Sequence, residues 1–137
     1  MIVLKKFIPS SFDAVDSAVH SIETFLEMEC PAIGEHDVFR IKFMIREMLN
    51  NGVEHGNHFD PEKKVGCILH ADPPNLTFDF YDEGPGVEVD ETIIPDEKES
   101  PLRERHRGYQ TILEMGFNIQ INRDYIRVTY VTGKEAN

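Results

Sequence analysis

The sequence predicts an α+β fold: a two-layer α/β sandwich whose mixed, mostly antiparallel sheet carries helices on one face. Three observations lead there. Two long stretches, about 12–30 and 35–55, repeat apolar residues at helical spacing. Shorter stretches alternate apolar and polar residues, as half-buried strands do. The resulting order, β-α-α-β-β-loop-α-β-β, shows no internal repeat, and 137 residues with 40% hydrophobic content suit one domain spanning 1–137.

Residues 2–8 are mostly apolar and β-branched, a strand. Pro9-Ser10-Ser11 then opens a helix, with Ser10 or Ser11 able to cap its free amides and Asp13 or Asp16 suited to its positive end. Phe12, Val15, Val19, Ile22 and Leu26 form its apolar stripe, and Cys30-Pro31 and Gly34 end it. A second helix runs from about residue 35 to 55, burying Val38, Ile41, Ile45, Met48 and Leu49, with Gly56-Asn57 as its stop. Next comes a hairpin around Asp72-Pro73-Pro74-Asn75. Leu76, Phe78 and Phe80 alternate with Thr77, Asp79 and Tyr81, so one face of that strand is core, and Asp82 continues the parity of the core face. Residues 87–104 lose all periodicity and hold Pro95 and Pro101, which reads as a long loop. A helix starts near His106 and ends near Gly116. Two strands, 117–121 and 126–130, flank Asn122-Arg123-Asp124.

A net charge of −11 argues against nucleic acid and against an anionic membrane surface, both of which need Lys and Arg. No stretch approaches the ~20 apolar residues of a membrane span, and the first residues lack a secretory pattern. Cys30 and Cys67 form no Cys-x-x-Cys motif; a cytoplasmic protein with free thiols is the simplest reading.

The stretch "EMLNNGVEHGN" is unusual for a helix end. Residues four apart drift by only about 40° around a helix, so Glu47, Asn51 and His55 form one slanting row at the rim of the apolar face. Buried polar groups cost on the order of 1–3 kcal/mol unless paired. An internal hydrogen-bond network would satisfy them. So would chemistry: a carboxylate general base, with an asparagine oxygen suited to Mg2+ and the phosphates that accompany it. A second element, "DEGPGV", ends a strand with an inward carboxylate followed by glycines where the chain turns or meets a ligand. A third, "RERHRGY", places Arg103, Arg105 and Arg107 where a helix begins, and amides with guanidiniums there would favour an anion. No P-loop is present, "HGNH" lacks a third placed metal ligand, and no nucleophile elbow occurs.

Taken in order, Glu-x-x-x-Asn-x-x-x-His-Gly, Asp-x-Gly-x-Gly, a lid and Arg-Gly resemble the GHKL ATP-binding fold of gyrase, Hsp90 and histidine kinases. The size, with "SSFDAVDSAVHSIETFL" and "FMIREMLNNGVEHGN", is most similar to the bacterial anti-sigma factor serine/threonine kinases. The resemblance implies ATP and Mg2+ as cofactors. Glu47 would be the catalytic base and Asn51 the Mg2+ ligand. Asp82 would accept from the adenine amino group, Gly84 and Gly86 would let the chain pass the nucleotide, and His55 would line the site. A lid at about 87–105, with Arg105, Arg107 and Gly108, would close over the phosphates. Implied partners are a sigma factor, a STAS-domain antagonist and a second copy of the chain. Two motifs depart from that pattern: His106-Arg107-Gly108 lacks the first glycine of its box, and Asp124-Tyr125 stands where Gly-Thr is usual. The alternative reading is therefore a non-catalytic partner-switching module with a degenerate nucleotide site.

Overall fold

A computed structural model describes residues 1–84 and 101–133, with side chains omitted from 101–106. The elements follow the expected order: β1 Ile2–Pro9, α1 Phe12–Glu29, α2 Glu35–Asn51, a π-turn Gly52–Gly56, β2 Lys64–Asp72, β3 Asn75–Tyr81, α3 Pro101–Glu114, β4 Asn118–Ile121 and β5 Ile126–Val131. The strands lie in the order β1-β2-β3-β5-β4. All four pairings are antiparallel, so among the described residues the sheet has no parallel pair.

Alternation decides which strand face is buried. Leu4, Leu69, Phe78, Val128 and Ile119 sit side by side across the sheet by register, and Cys67, Phe80 and Ile126 line up likewise one pleat over. These positions join the stripes of α1 (Val15, Ala18, Val19, Ile22, Leu26) and α2 (Ile41, Met44, Ile45, Met48, Leu49) in one core. The opposite face carries Phe7, Tyr81 and Tyr125, with ring centroids 6.2 and 5.6 Å apart in sequence. Beside them Arg127 grips the buried Asp79 through two hydrogen bonds of 2.8 and 3.0 Å.

Ser11, not Ser10, caps α1, accepting from the Ala14 amide at 3.1 Å. Phe12 does not join the stripe; it is largely exposed and meets Phe59 edge-on at 5.2 Å. Val38 is only half-buried, and Met44 takes its place in the core. At the far end of α2, the Tyr130 hydroxyl donates to Asp37 Oδ1 at 2.5 Å and the Gly133 amide to Asp37 Oδ2 at 3.0 Å, tying β5 to the helix start. Gly116, at φ +99°, ends α3 in the left-handed conformation that glycine adopts without steric penalty. Cys30 and Cys67 are free and buried, and burial pushes both thiols up. Among the described residues no helix is long and apolar enough to cross a membrane.

Two boundaries differ from the expectation. The second helix is α-helical only to Asn51, because the turn that follows is one residue wider. The third helix starts at Pro101, five residues before His106. Proline suits the first helical position, where its missing N–H is no loss.

Candidate functional site

The apolar face of α2 fixes its rotation, which leaves Glu47 half-buried at the rim and Asn51 buried at the end. The π-turn then inserts a residue: the Asn57 amide donates to the Gly52 carbonyl at 2.8 Å, five residues back. Such wide turns cluster at functional sites because they re-aim the side chains beyond them. Here His55 stays on the same wall as Glu47 and Asn51 although the expected row is no longer a regular α-helical one.

Asp82 directly follows β3, continues its core-facing parity and leans over the π-turn. A Cβ on Gly56 would lie 2.5–2.7 Å from the Asp82 carboxyl atoms, so only glycine leaves room there. Gly84 packs on the Gly56 backbone, and its amide donates to Asp82 Oδ1 at 2.8 Å. Gly52 lies under the Val65 and Asp82 side chains: a Cβ there would lie 3.0 Å from Val65 Cγ1.

Asn57 holds this arrangement from behind. It is 1% exposed. Its Oδ1 accepts from the Glu83 amide at 2.8 Å, and its Nδ2 donates to Ser10 Oγ and to the Lys64 carbonyl, each at 2.9 Å. The Ser10 hydroxyl donates to the Lys63 carbonyl at 2.6 Å, and the Glu83 carboxylate accepts from the Lys64 amide at 2.5 Å. The end of β1, the start of β2 and the residue after Asp82 are thus locked together. In the sequence Gly56-Asn57 reads as a helix stop. Nothing in periodicity marks a carboxamide as a three-way junction.

Two clefts open on either side of Asn51. The first, about 250 Å³, is walled by Met48, Leu49, Phe80, Ile126 and Tyr109, with Asp82, Gly84 and the β4–β5 hairpin 122–125 at its edge. The second, about 360 Å³, is lined by Glu47, Asn50, Glu54, His55, Arg107 and Gly108, with Phe12 and Phe43. The structure therefore brings together Glu47, Asn51, His55, Asp82, Gly84, Arg107 and Gly108. Gly86, most of the lid and the Arg105 side chain lie outside what is described.

The expectation of helix-start amides at Arg107-Gly108 is corrected. α3 begins at Pro101, so Gly108 is mid-helix, where its amide bonds within the helix. Gly108 instead lets α3 approach Glu47: a Cβ there would lie 2.8 Å from Glu47 Oε2. Desolvation, and then the nearby Glu54 charge, raise the Glu47 carboxyl above the usual glutamate range. His55 lies 4.0 Å from Glu54, an ion pair when the imidazole is protonated.

The family described as the histidine kinase-like ATPase domain matches residues 8–121, well over half the chain. The protein belongs to this GHKL-type family. Its domains bind ATP, usually with Mg2+. No curated protein matches the chain.

The residues present fit such a ligand. The first cleft joins apolar walls to the carboxylate of Asp82, as a site for a flat base with polar edges requires. In the second, Asn50 Oδ1 is buried and has no hydrogen-bond partner among the described residues, an acceptor left for a ligand. The described residues hold no group of three or more His, Cys, Asp or Glu able to bind a metal by themselves. Mg2+ keeps several waters and is held by one or two protein oxygens together with phosphates, and Asn51, which lines both clefts, carries an oxygen of that kind.

Proposed function

We propose that this protein is an anti-sigma factor with serine/threonine kinase activity. It binds Mg-ATP, sequesters a sigma factor and phosphorylates a serine on a STAS-type antagonist. The observation that carries the proposal is Glu47: a carboxylate of raised proton affinity, in the same cleft as Arg107 and as Asn51, which also lines the Asp82 cleft. A general base works best when its pKa lies nearer the working pH than an ordinary carboxylate's. Glu47 takes the proton of the attacking serine hydroxyl. Asp82 accepts from the adenine amino group, and Gly84, packed on the Gly56 backbone, steadies Asp82 through its amide. Asn51 holds Mg2+, whose charge supplies stabilisation of the transferring phosphoryl group when bound. His55, Arg107 and Gly108 line the phosphate side, with Gly86, Arg105 and the lid assigned there by resemblance. Positioning and charge are most of the catalysis that phosphoryl transfer needs. The protein acts in the cytoplasm as a homodimer, and phosphorylation of the antagonist keeps it from displacing the sigma factor.

One observation favours a second reading, a partner-switching module without catalysis. α3 runs unbroken through Arg107-Gly108, which leaves no helix-end amides there for phosphates, and it packs onto Glu47.

The test is calorimetric titration with ATP, with and without Mg2+, followed by phosphoryl transfer to STAS-domain proteins. Glu47→Ala should abolish transfer and leave nucleotide binding largely intact. Transfer that persists in this variant refutes Glu47 as base. No binding at millimolar ATP refutes the kinase reading and leaves the module.

A further inference from the structure

The turn of the β4–β5 hairpin, residues 122–125, borders the first cleft and lies just past the residues that match the family. The Nδ2 of Asn122 is fully buried in the cleft wall and has no hydrogen-bond partner among the described residues. A buried donor left unpaired is destabilising, so a chain gains nothing from it unless something else pairs with it. The donor is also held in place. The Asn122 amide donates to the Tyr125 carbonyl at 3.0 Å, closing the turn. Tyr125 stacks on Tyr81 with centroids 5.6 Å apart, and the Arg127 guanidinium, anchored by Asp79, lies 5.5 Å from the Tyr125 ring centroid. The hairpin is thus tied to the strand that carries Asp82.

We propose that Asn122 is a specificity-determining residue of the nucleotide site, donating its Nδ2 proton to a ring nitrogen of adenine. This rests on the nucleotide reading above and adds a second polar contact to it. An ionised Asp82 can only accept, and Asn122 Nδ2 can only donate. Adenine offers an exocyclic amino donor and, on its rings, the acceptors N1, N3 and N7. Guanine puts a carbonyl where adenine has the amino group, so it faces Asp82 with an acceptor. The two side chains together select adenine by the order of donor and acceptor, whereas the apolar walls recognise only its flatness.

The experiment is calorimetric titration of the wild type, Asn122→Ala and Asn122→Asp with ATP and with 1-deaza, 3-deaza and 7-deaza ATP, alongside melting of each unliganded protein. The wild type should bind one of the three analogues roughly five- to tenfold more weakly than ATP. Asn122→Ala should bind ATP as weakly as that analogue and no longer distinguish the two, while its unliganded melting temperature stays level or rises. Asn122→Asp, of the same shape with an acceptor in place of the donor, should bind ATP more weakly still. A wild type that treats all four nucleotides alike overturns the inference. So does an Asn122→Ala variant with unchanged ATP affinity, or one that melts lower and weakens towards all four equally. Failure of the wild type to bind ATP removes the nucleotide reading itself, and the role of Asn122 with it.

Discussion

Gly56 and Asp82 provide a stringent test of the site's architecture. In Gly56→Ala the new methyl would sit 2.5 Å from Asp82 Cγ and 2.6 and 2.7 Å from its oxygens. No real Cβ comes that close, so the carboxyl must swing away. That move strains the packing, which costs about 1–3 kcal/mol for an added methyl. It also breaks the 2.8 Å bond from the Gly84 amide, and hydrogen bonds to charged groups contribute about 1.5–3 kcal/mol. Because Asp82 is only half-buried and water can reach it, the lower end applies. Alanine's better helical propensity returns up to about 1 kcal/mol. The expected net loss is about 2 kcal/mol, read by urea unfolding. The same substitution in an Asp82→Ala background meets none of those three atoms and should be neutral or slightly stabilising. The two substitutions should therefore couple by about 2 kcal/mol in a double-mutant cycle. Equal losses in both backgrounds would refute the wedge.

Three other outcomes are expected. The native state holds the Glu47 proton more tightly than the unfolded chain, so the ionised carboxylate weakens the fold once pH rises above its native pKa, and that penalty fades as pH falls back towards the ordinary value of 4.5. Glu47→Gln should accordingly raise the melting temperature near pH 7, with the gain lost by about pH 4; a gain that persists in acid would contradict it. Tyr130→Phe removes the bond to Asp37 and leaves a buried carboxylate short of a donor, so urea unfolding should show a loss of about 1.5–3 kcal/mol. Ellman's reagent should label neither Cys30 nor Cys67 quickly in the native protein and both after denaturation, since both are buried and their thiols are shifted away from thiolate; fast labelling of either would show that its element opens.

The order of elements was legible because period-2 and period-3.6 patterns are physical consequences of burial, and Leu76, Phe78 and Phe80 or Val15, Val19 and Ile22 show them plainly. Asp82 was legible by the same parity. The π-turn was not, since one inserted residue in "GVEHG" leaves the apolar pattern of α2 intact up to Leu49. Pro101 was read as loop because its neighbours are charged, although proline also opens helices. Asp79 alternates with core residues and reads as a solvent-facing side chain. It is buried because Arg127, from a strand 48 residues later, covers it. Asn57 and Asn122 escaped for the same reason. Their roles depend on what the chain brings beside them, and local sequence holds no record of that.

The Asn57 junction has a consequence for how the protein is made. Ser10 and Asn57 are 47 positions apart, and Asn57 and Glu83 are 26 apart. Contacts of such separation form only when most of the chain has already closed. The carboxylate of Asp82 therefore has no fixed place in a half-synthesised or partly unfolded chain, and with Asp82 in the role proposed above nucleotide affinity becomes a property of the finished molecule alone. A ligand that binds only the finished form draws the population towards it. In a cell rich in that ligand, newly made chains would be drawn towards complete folding by nucleotide binding itself.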